Sequence, residues 1–189
     1  MHSDEELIGE VRLGNQSALE VLIKRYYRMV FAYTFRYVGD YHAAYDLTQE
    51  TLLKLVRAIH TLQQGESFKS WLLRIALNTC RDYLRSRSYK TGQQSAEYRE
   101  ELSGTSEQIV QLADRQADRA EITDAMMELP TYQREAVLLR FYHDMKIKDI
   151  ARLTAVSEPT VKSRLKQGLA KLRKRLERSE TRAKKQDRR

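Results

Sequence analysis

The chain has 189 residues, 41% apolar and 32% charged, with seven glycines, two prolines and one cysteine; that length suits one ordinary domain or two small ones and excludes a large multidomain enzyme. Cys80 can form no internal disulfide and stands at no ligand spacing from His2, His42, His60 or His143, so neither a disulfide framework nor structural zinc is expected. The net charge of +8 points to a polyanionic partner, while the acidic start and the lack of any apolar run near ~18 residues argue against a secretion signal or a membrane span.

Few glycines and prolines, and no sustained apolar–polar alternation, predict an all-α chain. Leu19, Leu22, Ile23, Tyr26, Val30, Tyr33 and Val38 recur at helical spacing between Ala18 and Val38, and Gly39-Asp40 closes that helix. From about His42 to Thr61, Ala44, Leu47, Thr51, Leu55 and Ile59 form one stripe, whereas Asp46, Gln49, Glu50, Lys54 and Arg57 share another face. One side packs and the other is offered to solvent or a partner.

After the break at Gln63-Gln64-Gly65-Glu66, Ser67 is expected to cap a long helix. Trp71, Leu72, Ile75, Ala76, Thr79, Tyr83 and Leu84 face its inside, and Lys69, Arg74, Asn78, Arg81 and Arg85 its polar side. Ser86 to Ser106 lacks an apolar stripe and reads as a linker. Regularity returns weakly over Glu107 to Leu112 and firmly from about Ala117, with Ile122, Ala125, Met126 and Leu129. Pro130 fits the first turn of the next helix, which runs through Ala136, Val137, Leu139 and Phe141 to a turn at His143-Asp144.

The last elements carry the most specific pattern. Lys146 to Leu153, then Thr154-Ala155-Val156, then Ser157 to Leu165 predict a short helix, a three-residue turn and a second helix capped by Ser157. Ile147, Ile150, Ala151, Val156, Val161 and Leu165 are spaced to form the shared core of a helix-turn-helix. Thr160, Lys162, Ser163, Lys166 and Gln167 lie on or beside its exposed face and mix the hydroxyl, amide and ammonium donors that base-edge readout requires. Charge is divided to match: Ser67 to Lys90 holds six cations against one carboxylate, Gln93 to Asp124 three against eight, and Lys171 to Arg189 ten against three. Two basic modules joined by an acidic connector suit a polyanion gripped in two places. No nucleophile–base arrangement, paired-carboxylate metal site or phosphate-binding glycine loop occurs, so no catalytic residue, metal, cofactor or small-molecule substrate is expected.

Four motifs follow one another: Asp46-Leu47-Thr48-Gln49-Glu50, Phe68-Lys69-Ser70-Trp71-Leu72-Leu73-Arg74-Ile75-Ala76-Leu77-Asn78, Leu129-Pro130-Thr131-Tyr132-Gln133-Arg134 and Thr160-Val161-Lys162-Ser163-Arg164-Leu165. In that order, over Ser17 to Leu176, the chain resembles a bacterial RNA polymerase sigma factor of the extracytoplasmic function group of the sigma-70 family, the minimal kind that keeps only regions two and four. The resemblance implies two small helical domains joined by a flexible linker: 1–88 as region two, 89–118 as linker, 119–178 as region four with its helix-turn-helix, and 179–189 as a basic tail that composition makes structureless.

It also implies partners. Asp46, Gln49 and Glu50 would dock on the beta-prime clamp helices of core RNA polymerase, with the beta subunit a further contact. Lys69, Arg74, Arg81 and Arg85 would hold the promoter's minus-ten strand, Asn78 would contact a base, and Phe68 would meet a flipped base in a pocket formed by the loop from Leu62. Trp71 and Cys80 read as core residues. Thr160, Lys162, Ser163, Lys166 and Gln167 would read the minus-35 element, Arg140 its backbone, and Arg164 and Arg173 its phosphates. The acidic start and the lack of a membrane-length apolar run predict a cytoplasmic location; many proteins of this family are held by an anti-sigma factor, so the resemblance implies such a partner, which can hold the protein at the membrane. Ala155 stands where the family often has glycine, a strain of about 1 kcal/mol if that turn needs positive φ. The competing reading is a stand-alone helix-turn-helix regulator that binds duplex DNA as a dimer.

Overall fold

The computed structural model describes residues 2–63, 65–93 and 116–186, and of 87–93, 116–121 and 179–186 the backbone alone. The expected linker therefore falls largely outside the described residues. Among those described, every regular element is helical.

The first half holds four helices: α1 (Asp4–Arg12), α2 (Gln16–Val38), α3 (Tyr41–Ala58) with a following 3-10 turn (Ile59–Thr61), and α4 (Phe68–Gln93). Helix α1 was not expected, yet it opens on a reciprocal capping box in which the Ser3 side chain accepts from the Glu6 N–H and the Glu6 carboxylate accepts from the Ser3 N–H. Its Leu7 and Ile8 are buried, and Asp4 ties it to α2 by accepting from Arg25 at 2.5 Å and from the Tyr26 hydroxyl. Asn15 caps α2, and Asp40 caps α3 by accepting from the Ala43 N–H at 2.7 Å. Between them Gly39 is left-handed at φ 76, and a Cβ there would stand 2.9 Å from the Met127 side chain. The left-handed turn needs glycine, and a side chain there would also displace the Met127 side chain.

The second half comprises α5 (Gln116–Met127), α6 (Thr131–Val137), a π-helical stretch (Leu138–Tyr142), α7 (Ile147–Thr154) and α8 (Glu158–Gln186). Pro130 sits one residue ahead of α6 rather than in its first turn, where its fixed φ still leads into the helix. Helix α4 continues past Ser86 to Gln93, beyond the start expected for the linker. Likewise α8 runs to Gln186 through the tail expected to be structureless, since after Gly168 its sequence has no glycine or proline and is rich in Lys, Arg, Glu and Ala.

The two halves share one core. Leu22, Tyr33, Tyr37, Leu55, Leu72 and Leu77 belong to the same buried cluster as Leu138, Leu139, Ile150 and Val161. Arg134 links them at its centre: its guanidinium donates to the Met126, Met127 and Leu129 carbonyls at the end of α5 and to the Tyr37 carbonyl at the end of α2. One buried cation thus gathers carbonyls at the ends of two helices, where the helix itself offers few further donors. Burial lowers the pKa of that guanidinium from its ordinary value, while nearby Glu135 opposes the shift.

The helix-turn-helix forms as the spacing requires. Ala155 adopts φ 57 and ψ 43, the left-handed conformation in which a Cβ is strained. Replacing Ala155 by glycine should stabilise the protein by up to about 0.5 kcal/mol, the left-handed penalty less glycine's greater freedom when unfolded. A thermal melt checks this, and an unchanged or lower midpoint would contradict it.

Candidate nucleic-acid interface

Three sets of side chains come from three elements. On α3, Ala44, Leu47, Thr48, Thr51, Leu52 and Leu55 are buried, which turns Asp46, Gln49 and Glu50 outward. Asp46 and Glu50 are exposed, Gln49 is half-buried, and Glu50 pairs with Lys54 at 2.7 Å. The same face carries exposed apolar groups that sequence reasoning passed over: Tyr45, Leu53, 57% exposed, and Val56. Their spacing, eight residues from Tyr45 to Leu53 and three from Leu53 to Val56, keeps them on one polar face of the helix and was the available signal. Exposed apolar groups among carboxylates and amides are a composition from which burial on a partner would remove apolar surface from water.

On α4 the expected minus-ten residues do not all reach solvent. Asn78 and Arg85 are exposed, the latter 3.6 Å from Asp82. Arg74 pairs with Glu66 of the preceding loop at 2.6 Å. Lys69 donates to the His143 carbonyl at 2.9 Å, and Arg81 forms a two-pronged pair with Glu135 at 2.8 and 2.6 Å. Both partners belong to the second half of the chain. Glu135 is 3% exposed and also accepts from the Tyr37 hydroxyl at 2.6 Å.

Phe68 requires a correction. Expected to meet a flipped base, it is 4% exposed and packs edge-on against Tyr26 at 5.0 Å and tilted against Trp71 at 5.9 Å. Its position three and four residues before Trp71 and Leu72 puts it on the core stripe. Trp71 and Cys80 are buried, as expected; burial pushes the Cys80 thiol well above its usual range, with Glu135 adding to the shift. The loop after Leu62 does border an open cleft of about 990 Å³, where Gln63, Gly65, Glu66 and Ser67 face Asp149 and Arg152 of α7.

On α8 the expected readout residues lie together. Ser157 caps the helix by accepting from the Thr160 N–H at 3.3 Å, while Val161 and Leu165 bury their side chains. Lys162, Ser163, Lys166 and Gln167 are left exposed and Thr160 half-buried. Arg164 lies over the Tyr132 ring at 5.3 Å, Arg173 pairs with Glu177 at 2.8 Å, and Arg140 donates to the Met145 carbonyl at 2.9 Å, bracing the turn into α7. Gln133, which sequence reasoning treated only as part of a motif, touches this set by hydrogen-bonding Gln167.

The chain matches two family models, Sigma-70 region 2 over residues 22–89 and Sigma-70, region 4 over residues 119–172. It is 32% identical over 148 residues to the RNA polymerase sigma factor SigV of Bacillus subtilis, covering 78% of this chain and 82% of that protein. It is also 32% identical over 172 residues to the ECF RNA polymerase sigma factor SigC of Mycobacterium tuberculosis, covering 86% and 88%. Its fold is that of the sigma factor RpoE of Bartonella quintana, solved with the anti-sigma factor NepR, at a TM-score of 0.72 and 22% identity over 84% of this chain and 96% of that one.

Proposed function

The chain belongs to the extracytoplasmic-function group of the sigma-70 family of RNA polymerase sigma factors, and from that premise we propose how its surfaces divide the work. It is a transcription initiation factor that binds core RNA polymerase and directs it to promoters. The carrying observation is the ordered pair of matches, because a dimeric regulator reading duplex DNA alone has no use for the first of them.

The α3 face with Asp46, Gln49, Glu50 and Leu53 engages the beta-prime clamp helices of core polymerase. Asn78, Arg74 and Arg85 of α4, joined by Lys69 and Arg81, take the minus-ten strand. The exposed side of α8 reads the minus-35 element, with Arg140, Arg164 and Arg173 on phosphates. Because Lys69 and Arg81 are engaged by the second half, the protein acts in two states: closed as described here, and open when bound to polymerase and promoter. We assign residues 1–88 to the first task, 119–178 to the second and 89–118 to the connector. No helix among the described residues is long and apolar enough to cross a membrane. We assign the protein to the cytoplasm because the promoter DNA it would act on lies there. An anti-sigma factor covering the α3 face would compete with polymerase. No catalytic step is assigned to any residue.

The test is Asp46→Arg. Reversing one exposed charge should weaken retention by core polymerase tenfold or more while leaving the thermal midpoint unchanged. Undiminished co-purification with core enzyme would contradict the assignment.

A further inference from the structure

We infer that Gln133 and Gln167 form a buttressed amide pair that sets the second helix of the helix-turn-helix to read an adenine at one position of the upstream promoter element. Gln133 acts as the positioning residue and Gln167 as the reader; the inference rests on the sigma-factor reading above.

Gln133 lies on α6 and is only 1% exposed. Its Nε2 donates to Gln167 Oε1 at 2.9 Å, and Gln167 Nε2 donates in turn to Ser163 Oγ at 3.1 Å. The exposed amide of Gln167 is therefore held on both sides, by a buried residue of another helix and by a hydroxyl one turn earlier on its own. A carboxamide has two N–H donors and two acceptor lone pairs. Each of the two bonds uses one of them, leaving one donor and one acceptor. That is the complement of adenine, which offers an acceptor at N7 and a donor at N6; guanine offers two acceptors and leaves the acceptor of Gln167 unmatched. The amide borders a shallow hollow of about 380 Å³ lined by Tyr132, Thr160, Ser163, Arg164 and Gln167, into which a base edge can enter.

Two features show that the sequence tolerates strain to keep this pair. Gln133 Oε1 is buried without a hydrogen-bond partner, which costs stability that a methionine of similar shape would not. Gly168 sits inside α8, where glycine is unfavourable, yet a Cβ there would stand 3.1 Å from Val137 Cγ2 and 3.5 Å from Gln133 Cβ. The missing side chain lets α8 close on α6 and brings the two amides into contact. Filling space would need neither the amide nor the glycine.

The experiment is transcription by holoenzyme, reconstituted from core polymerase and the full chain, on a template pool randomised over the upstream element, with the transcribed templates sequenced. Wild type should enrich adenine at one position. Gln133→Met should lower that preference about tenfold while preferences at the other positions persist, and Gln167→Arg should move the same position from adenine to guanine. A wild type that enriches a motif but keeps the same adenine preference with Gln133→Met, or loses preference at all positions alike, overturns the inference. Should Gln133→Met fail to fold, as read by circular dichroism, the absence of the Gln167→Arg switch overturns it equally. If wild type starts no transcripts from the pool, the sigma-factor reading fails and the inference falls with it.

Discussion

Replacing Glu135 by alanine is expected to open the molecule, because the change removes about 1.5–3 kcal/mol of charge-assisted hydrogen bonding from the contact between its halves, Arg81 being near enough to the surface to regain water. Glu135 is buried on α6, but its partners, the Arg81 guanidinium and the Tyr37 hydroxyl, both belong to the first half. Loss of the carboxylate leaves the Tyr37 hydroxyl without that acceptor and frees Arg81 to return to water. The second half loses none of these bonds internally, so its own fold should survive. The contact of Met127 with Gly39 and the Arg134 bond to the Tyr37 carbonyl remain, so the opening is a shift in population. At about 1.4 kcal/mol per tenfold, the closed-to-open ratio should fall roughly 10- to 100-fold. Small-angle scattering should report a larger radius of gyration, and a single-stranded minus-ten oligonucleotide should bind more tightly because Lys69 and Arg81 become available. Scattering curves that superimpose on those of wild type would contradict the latch.

Acid should weaken the same contact. His143 follows the π-helical stretch and is buried against the first half, edge-on to Tyr33 at 5.3 Å. Burial pushes its pKa from 6.5 down to about 4, and the Lys69 ammonium and Arg36 guanidinium push the same way. The closed state therefore holds a neutral imidazole, whereas an opened state takes up a proton near pH 6.5. Its contribution is intact at neutral pH and is lost as pH falls from about 6.5 towards 4. At pH 5 the loss is about 2 kcal/mol. The radius of gyration should rise between pH 7 and pH 5, and His143→Phe should abolish most of that rise. A closed state equally compact at both pH values would refute the role of this histidine.

Local signals made much of the fold legible. The Ser157 cap, the Ile150, Val161 and Leu165 spacing and the small Ala151 defined the helix-turn-helix without any distant contact, and the Gly39-Asp40 pair marked the end of α2, although Asp40 was not read as the cap of α3 that it is. Helix α1 was legible too, through Ser3 and Glu6 three residues apart, had the capping box been sought. Phe68 shows how a residue at a helix start can be misread: its chemistry suits base stacking, but its register with Trp71 and Leu72 belongs to the core.

What could not be read was long-range. Arg81 and Glu135 are 54 residues apart, Lys69 and His143 74 apart, and Gln133 and Gln167 34 apart, so no periodicity joins them. Sequence spacing assigned Lys69 and Arg81 to a solvent face because it sees one helix at a time. The second half of the chain, folded back on α4, supplies the partners that change their state.

The most direct measurement is run-off transcription with purified core polymerase, with and without the full chain, on templates that carry the promoter motif selected from a random pool. Transcripts that begin at a fixed distance from that motif, and only when both proteins are present, are the predicted result. Silence on every template, or tight sequence-specific binding to duplex DNA by the chain alone with no dependence on polymerase, would contradict it.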